Sequence, residues 1–218
     1  MFCLGCEKEG EWLCVNCEAS LSLDNILACP VCHFYNDNGR CCARCASISY
    51  LDEQRAIMKY SEGGLIGKII HSFKYDYIEE LLPVFVRLME KYFKNNQIVF
   101  SHIDWIVSVP LHSRRLAERG FNQSALIASE ASKLLNKKYM NNLFVRVRYT
   151  KIQARLKRED RVKSIKDAFA LEKEFDIKGK NILLIDDVFT TGGTLQECAK
   201  LLKQSGAKNV IGLSIARG

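Results

Sequence analysis

The sequence predicts an α/β fold, a parallel sheet flanked by helices, preceded by a small cysteine-rich element. Residues 182–185 (ILLI) and 105–109 (WIVSV) are short apolar runs, and an amphipathic helical pattern follows each of them after a polar turn. Such alternation is typical of parallel sheets whose two faces are both covered. The cysteine-rich element is indicated by nine of the ten cysteines, which lie before residue 46.

The remaining elements follow from local patterns. Further strands are predicted around residues 56–60, 143–148 and 210–215, and Asn122 or Ser124 is the expected cap of the helix after residue 109. Apolar stripes predict covering helices over residues 65–74 and 81–93. We expect residues 1–46 to form the cysteine-rich element and residues 47–218 the α/β domain, with residues 47–100 as its hood of covering helices.

Composition narrows the class of protein. The chain has 218 residues, is 48% apolar and carries a formal net charge of +7, which favours anionic partners such as phosphorylated molecules or nucleic acid. No apolar run is long enough to cross a membrane, and the N-terminus lacks the basic and apolar regions of an export signal. We therefore expect a cytoplasmic protein without membrane insertion.

The cysteines form four C-x2-C pairs, a spacing typical of zinc sites in which two pairs supply four thiolates. The pairs are Cys3 and Cys6, Cys14 and Cys17, Cys29 and Cys32, and Cys42 and Cys45. We expect two structural zinc ions, with sequential grouping as the simplest arrangement and interleaved grouping as the alternative. A disulfide framework is the competing interpretation, and it requires an oxidising compartment.

Two further residues near these pairs leave details open. Cys41 is either a spare thiol or a ligand in place of Cys42, and His33 is either a surface residue or a substitute for a thiolate. The tenth cysteine, Cys198, lies on the apolar face of a predicted helix and is expected to pack in the core.

The stretch 181–195 (NILLIDDVFTTGGTL) carries the strongest functional pattern. Asp186 and Asp187 come where the strand should end, where ligands bind in parallel sheets. Two neighbouring carboxylates can accept hydrogen bonds from vicinal hydroxyls or help to hold a hydrated Mg²⁺. A loop of small residues then precedes a helix, and its N–H groups and hydroxyls suit a phosphate; it consists of Thr190, Thr191, Gly192, Gly193 and Thr194.

This stretch resembles the signature of type I phosphoribosyltransferases, which bind 5-phosphoribosyl 1-pyrophosphate (PRPP) together with Mg²⁺. The resemblance implies that Asp186 and Asp187 meet the ribose hydroxyls and that the loop binds the 5-phosphate. Phe189 stands where a smaller aliphatic residue is commoner in that family.

Two basic segments are candidates for the pyrophosphate end of PRPP. Arg114 and Arg115 follow the predicted strand 105–109, where guanidinium groups would suit a pyrophosphate. Residues 133–166 carry twelve Lys or Arg against two acids, as expected for a basic lid, and include Arg155, Arg158 and Arg161. The same lid would also suit a nucleic-acid backbone.

VPLH at residues 109–112 and RGFNQS at residues 119–124 resemble the ComF family, as do the cysteine pairs and Lys74. The resemblance implies a zinc element joined to a phosphoribosyltransferase-like domain and a role in natural competence and DNA uptake. It leaves two functions open: Mg²⁺-assisted transfer of phosphoribose to an unnamed acceptor, or a non-catalytic accessory role in which the protein binds single-stranded DNA and PRPP regulates it. In a third interpretation the zinc element docks a helicase or the uptake machinery.

Overall fold

A six-stranded sheet forms the centre of the protein, whose computed structural model describes residues 1–149, 165–172 and 175–218. Its strands are β1 Ile26–Leu27, β2 Glu53–Lys59, β3 Trp105–Ser108, β4 Lys138–Tyr139, β7 Asn181–Phe189 and β8 Asn209–Arg217. They lie in the order β1-β2-β8-β7-β3-β4, and every neighbouring pair is parallel except β1 with β2. Strands β5 Phe144–Arg146 and β6 Phe169–Leu171 form a separate antiparallel pair.

Helices cover both faces of this sheet. They are α1 Val15–Ala19, α2 Leu65–Tyr75, α3 Leu82–Asn95, α4 Gln97–Ser101, α5 Ser113–Arg119, α6 Gln123–Leu135 and α7 Gly193–Gln204. Pro83 lies in the first turn of α3, as its missing N–H requires, and Asn122 caps α6 by accepting a hydrogen bond from the N–H of Ser124. Among the described residues, no helix combines the length and apolar character needed to cross a bilayer.

Strand β7 is apolar at consecutive positions because each of its faces contacts a different core. Leu183 and Ile185 pack with α2, α3 and α6, whereas Ile182 and Leu184 pack with α7 and the β5–β6 pair. The predicted fold class, a parallel sheet flanked by helices, is therefore confirmed. The helix α7 buries the predicted stripe, Cys198 included, and Gly206 follows it with a φ of 91°.

Several predicted elements differ from the structure. Strand β7 does not end before Asp186 but continues to Phe189, because β8 also continues and pairs with it as far as Arg217. The predicted second strand, 143–148, contributes only β5, which pairs with β6 outside the main sheet. The basic turn after residue 109 contains a seven-residue helix, α5. The strand predicted to alternate around residues 56–60 is buried along most of β2.

Candidate functional site

The carboxyl ends of the parallel strands surround a cavity of about 880 Å³. Strand β3 ends opposite Ile185, so the last four residues of β7 extend beyond it and pair only with β8. Asp186 and Asp187 lie in this extension and line the cavity. The acid pair is thus held by a continuous strand rather than by a loop, which fixes the position of both carboxylates.

Asp187 is held from two sides. Its Oδ1 lies 2.7 Å from Nζ of Lys74 on α2, and its Oδ2 accepts a hydrogen bond of 3.1 Å from Nε2 of Gln123 at the start of α6. Burial lowers the pKa of Lys74, but the charge and hydrogen bond of Asp187 outweigh burial and raise that pKa above its ordinary value. Lys74 therefore stays charged beside the acid pair.

Asp186 has a different environment. Its Oδ1 accepts hydrogen bonds of 3.0 Å from the hydroxyl of Ser124 and from the N–H of Asp187. Among the described residues, none donates to Oδ2. Burial, followed by the charge of Asp187, raises the pKa of Asp186 to about 7. This carboxyl therefore retains capacity for a cation or for hydroxyl donors at the cavity.

The small-residue loop lines the same cavity between β7 and α7. Gly192 immediately precedes α7 and has a φ of 78°, in the left-handed region that favours glycine. A Cβ at this position would lie 2.6 Å from Cζ of Phe189. The N–H groups at the start of the twelve-residue helix α7 supply the positive end of its dipole to the cavity, an arrangement that suits an anion.

Three arginine side chains also line the cavity. They are Arg115 and Arg119 from α5 and Arg146 from β5. Nη1 of Arg119 is buried and has no hydrogen-bond acceptor among the described residues, and its guanidinium lies 5.4 Å from the ring centroid of Tyr75. A buried donor without an acceptor favours the binding of an anion here.

The other predicted arginines lie elsewhere. Arg114 is exposed and is not among the described residues that line the cavity; its guanidinium lies 5.4 Å from the ring centroid of Tyr149. Arg155, Arg158 and Arg161 fall outside the described residues. The structure thus brings Arg115 together with the acid pair and the loop. It adds Arg119 and Arg146 to the set of candidate anion ligands.

Two groups of four thiols form in the N-terminal part of the chain, and each could hold zinc. The first contains Cys3, Cys6, Cys14 and Cys17, and the second Cys29, Cys32, Cys42 and Cys45, with all sulfurs of a group within 4.8 Å of one another. Cys6 and Cys14 are 3.7 Å apart at Sγ, and Cys32 and Cys42 are 3.8 Å apart. Tetrahedral zinc with bonds of about 2.3 Å requires sulfurs about 3.8 Å apart, so the donor sets fit.

Within the second group, the thiols differ in their pKa. Burial raises the pKa of Cys29, but N–H donors from Cys42, Cys32 and Val31 outweigh it and lower that pKa to about 6. In the same group, burial and hydrogen bonds from neighbouring thiols raise the pKa of Cys45 to about 12. Four thiols so close together cannot all ionise without a cation between them, which is the condition that a metal satisfies.

Known proteins resemble this chain along most of its length. A family model described as "Phosphoribosyl transferase domain" matches residues 120–217. DNA utilization protein YhgH of Escherichia coli strain K12 is 32% identical over 209 residues, which cover 92% of this chain and 88% of that protein. Competence protein ComFC of Streptococcus pneumoniae is 27% identical over 94% of this chain and 87% of its own length. Competence protein F of Haemophilus influenzae is 37% identical over 115 residues, 51% of this chain and 49% of that protein. The chain belongs to the ComF family.

In this ComF chain, the RGFNQS motif has one role that the sequence predicted, a cap for α6, and a second role that it did not, the hydrogen bonds to the acid pair. Its Asn122 caps α6, and the next two residues, Gln123 and Ser124, each donate a hydrogen bond to one member of the acid pair. The motif therefore holds Asp186 and Asp187 across more than sixty residues of sequence. The sequence feature that could have indicated these hydrogen bonds is an amide and a hydroxyl side chain at a helix start, in a chain that also carries two adjacent aspartates.

Proposed function

We propose that this ComF protein binds PRPP, with its ribose 5-phosphate end at the acid pair and the loop 190–194. The observation that carries the proposal is the meeting, in one cavity, of the acid pair, the helix N-terminus behind Gly192 and three arginines. Ribose 5-phosphate presents vicinal hydroxyls and a phosphomonoester on one small molecule. PRPP adds a pyrophosphate, which requires further cations at the other side of the ribose.

Each part of the cavity has a role in this proposal. Asp186 and Asp187 accept the ribose hydroxyls, and Thr190, Thr191, Gly192, Gly193 and Thr194 surround the 5-phosphate. Arg115, Arg119 and Arg146 neutralise the pyrophosphate through bidentate hydrogen bonds. Arg114, together with Arg155, Arg158 and Arg161, remains a candidate for the same group. The carboxylates and the arginines would act by positioning and by electrostatic stabilisation of charge at the anomeric carbon.

Magnesium fits the donor set of the acid pair, because Asp186 retains a carboxylate oxygen without a donor among the described residues and carboxylate oxygens are the ligands that Mg²⁺ prefers. Asp186 would hold the ion with the help of Asp187, and the ion would neutralise the charge of the pyrophosphate. The two Cys₄ groups would each hold a structural zinc, since four thiolates leave no open position for catalysis.

The names of the relatives support a role for this chain in competence, and we propose that this role lies in DNA uptake. The proposed reaction is the transfer of phosphoribose to an acceptor whose identity stays open, with pyrophosphate as the leaving group. The carbon–oxygen bond to pyrophosphate breaks at the anomeric carbon, and a bond from that carbon to the acceptor forms. We expect the protein to act in the cytoplasm, where PRPP is available.

Calorimetric titration tests the binding proposal directly. PRPP with Mg²⁺ should bind at one site per chain, and ribose 5-phosphate and inorganic pyrophosphate should each compete. A protein that binds neither PRPP nor ribose 5-phosphate would contradict the proposal. Pyrophosphate release with a panel of nucleobases and amines then tests catalysis, and silence across the panel with intact PRPP binding would favour a regulatory role of PRPP.

A second candidate function, binding of single-stranded DNA, is favoured by one aromatic side chain. The Tyr149 ring lies beside the guanidinium groups of Arg114 and Arg115, 5.4 Å and 5.8 Å from its centroid, and 5.1 Å from the ring of His112. An aromatic ring among cations combines base stacking with phosphate attraction. In this alternative the protein is a non-catalytic accessory factor and PRPP is a regulatory ligand. Docking of a helicase or the uptake machinery on the zinc element is a third, separate candidate role.

A salt series on single-stranded oligonucleotides tests this candidate. Binding should weaken steeply as salt increases, because phosphate contacts release counterions. Tyr149→Ala should weaken binding by roughly tenfold, the loss of one stacked base. The exposed Tyr77→Ala serves as the matched control. Affinity that does not change with salt, or that falls equally in both variants, would contradict this function.

A further inference from the structure

The last residue of β7, Phe189, is buried between groups from distant parts of the chain. Its ring is 1% exposed and lies 4.4 Å from the guanidinium of Arg217 at the end of β8 and 5.5 Å from the imidazole of His33. Phe189 directly precedes the loop 190–194. Any group that moves this ring therefore acts on the first residue of the loop.

The segment that carries the first two thiols of the second cysteine group lies beside Phe189 and Arg217. Arg217 donates to the carbonyl oxygens of Ala28 at 3.5 Å and Cys29 at 3.3 Å, next to and at the first thiol of this group. The carbonyl oxygen of Pro30 lies 3.2 Å from the place where a Cβ of Gly192 would be. Residues 28–33 form the knuckle that carries Cys29 and Cys32. This knuckle thus packs against Phe189, directly before the loop, and against Gly192 within it.

The residues that follow this cysteine group form hydrogen bonds with α7, the helix that follows the loop. Gln196, in the first turn of α7, accepts a hydrogen bond of 2.9 Å from the N–H of Tyr50 and donates one of 3.0 Å to the hydroxyl of Ser49. The second group therefore contacts the loop through Phe189 and Gly192 and its following helix through Gln196.

In the part of the chain that the structure describes, the first cysteine group makes no such contacts with the loop, and it provides an internal comparison. Its Cys3 and the neighbouring Leu13 belong to the core formed with α2 and α3. Glu18, beside Cys17, forms an ion pair with Arg87 of α3. This group is therefore attached to the covering helices, whereas the second is attached to the candidate phosphate site.

We propose that metal binding at the second cysteine group positions the loop 190–194 through Phe189, so that zinc at this group and a phosphate at the loop bind cooperatively. This inference rests on the phosphate role of the loop proposed above. Without its metal, a segment with few apolar side chains does not keep one structure, so the knuckle would release Phe189 and Arg217. The loop would then have to be ordered by the ligand alone, and this cost lowers its affinity.

Because the two binding equilibria are linked, the effect is reciprocal. A phosphate ligand that binds the ordered loop must also raise the affinity of the second group for zinc. Zinc release to a chromophoric chelator, followed with and without saturating ribose 5-phosphate, tests this in the full chain, because zinc leaves from the opened knuckle and a bound ligand lowers the population of that open state. We therefore expect the ligand to slow zinc release from the second group by about fivefold or more, in line with couplings of ordinary size between two binding sites, and to leave the first group unchanged. Cys17→Ser and Cys45→Ser, which each remove one ligand, assign the two release phases to their groups.

Two variants separate coupling from general stabilisation and do not depend on the cysteine variants. In Phe189→Leu, ribose 5-phosphate should bind more weakly, and at saturation it should no longer slow zinc release. In Arg87→Ala, which loses the ion pair to the first group, the ligand should slow release as in the original protein.

The outcomes distinguish the two proposals. If calorimetry shows that neither PRPP nor ribose 5-phosphate binds the original protein, the proposed function fails and the coupling fails with it. If the ligand binds but zinc release does not change, or both groups slow equally, or Phe189→Leu responds like the original protein, the coupling is overturned and the phosphate site stands.

Discussion

Nζ of Lys74 lies 2.7 Å from Oδ1 of Asp187, so the covering helix α2 contributes a cation to the acid pair of the central sheet. The pair joins residues more than a hundred positions apart, in elements that the sequence presents as separate layers. Lys74 offsets part of the charge of the two adjacent carboxylates, and it lines the same cavity as the loop and the arginines. This contact therefore contributes both to the stability of the fold and to the charge of the cavity.

Lys74→Met is expected to lower the free energy of unfolding by about 1–3 kcal/mol. Removal of one partner from a buried pair typically costs 3–5 kcal/mol, and the Lys74 side chain is 19% exposed, so water screens part of the loss. Urea unfolding at pH 7.5 measures it. Lys68→Met, at an exposed position of the same helix, is the matched control and should change stability by less than about 0.5 kcal/mol. Equal stability of the two variants would show that the ion pair contributes nothing.

PRPP affinity is expected to depend on pH through Asp186. Burial and the charge of Asp187 raise its pKa to about 7, so the carboxyl still holds a proton at pH 6 and has lost it at pH 8. A proton competes with Mg²⁺ and with hydroxyl donors, and affinity should therefore rise by roughly tenfold over this range. Calorimetry at both pH values measures the change, and Asp186→Asn is the reference, because the phosphates of PRPP titrate equally with either protein.

The carboxyl of Asp186 should also affect the free energy of unfolding, which should fall as the pH rises, whereas PRPP affinity should increase. The folded protein holds the proton of Asp186 more tightly than the unfolded chain does, because the ordinary pKa of an Asp carboxyl is 3.8. The contribution of Asp186 to stability is therefore complete below pH 4 and is lost as the pH rises through about 7. Asp186→Asn should remove this part of the pH dependence of unfolding. An unchanged slope between pH 5 and pH 8 would contradict the assignment of the raised pKa to Asp186.

Gly192→Ala is expected to destabilise the protein by about 2–4 kcal/mol, the combined cost of a left-handed alanine and of overpacking against Phe189. Gly179 has a similar φ of 74° but no atom within 4 Å of the place of its Cβ. Gly179→Ala should therefore cost only about 1–2 kcal/mol and leave ribose 5-phosphate binding intact. Urea unfolding and calorimetry compare the two. Equal losses of stability would show that the contact with Phe189 exerts no constraint.

Metal analysis should find two zinc ions per chain. Cys41 and Cys42 are neighbours, but only Cys42 belongs to the group of four thiols, although the Sγ of Cys41 lies 3.9 Å from that of Cys29. Cys42→Ser should therefore lose about one equivalent of tightly bound zinc, since a site with three thiolates binds more weakly. Cys41→Ser should keep both. The reverse result would place Cys41 in the site.

Local patterns in the sequence predict the elements well but not their partners. The apolar run 182–185 and the apolar face of α7 are local features, and each was predicted. The extension of β7 to Phe189 depends on β8, which continues beside it and supplies hydrogen bonds. Residues 143–148 have the composition of a strand, but only the structure shows that β5 pairs with β6 outside the main sheet.

The candidate site divides in the same way. The acid pair and the small-residue loop 190–194 lie in one stretch of sequence and could be predicted from it. Gln123 and Ser124 come from a helix start more than sixty residues earlier, and Lys74 from a covering helix, so no spacing rule connects them with Asp186 and Asp187. Arg119 and Arg146 reach the cavity only because α5 and β5 place them there.

Titration of PRPP with Mg²⁺ into the original protein and into Asp186→Asn at pH 8 tests the central claim most directly. This variant keeps the Lys74–Asp187 pair, so its fold should be retained, and Asp104→Asn is the control for a change of charge outside the cavity. We predict one PRPP per chain, a loss of affinity of at least about tenfold in Asp186→Asn, comparable to one lost charged hydrogen bond, and no detectable binding when Asp187→Asn is added. PRPP affinity that stays the same in both acid variants would contradict the assignment of this cavity.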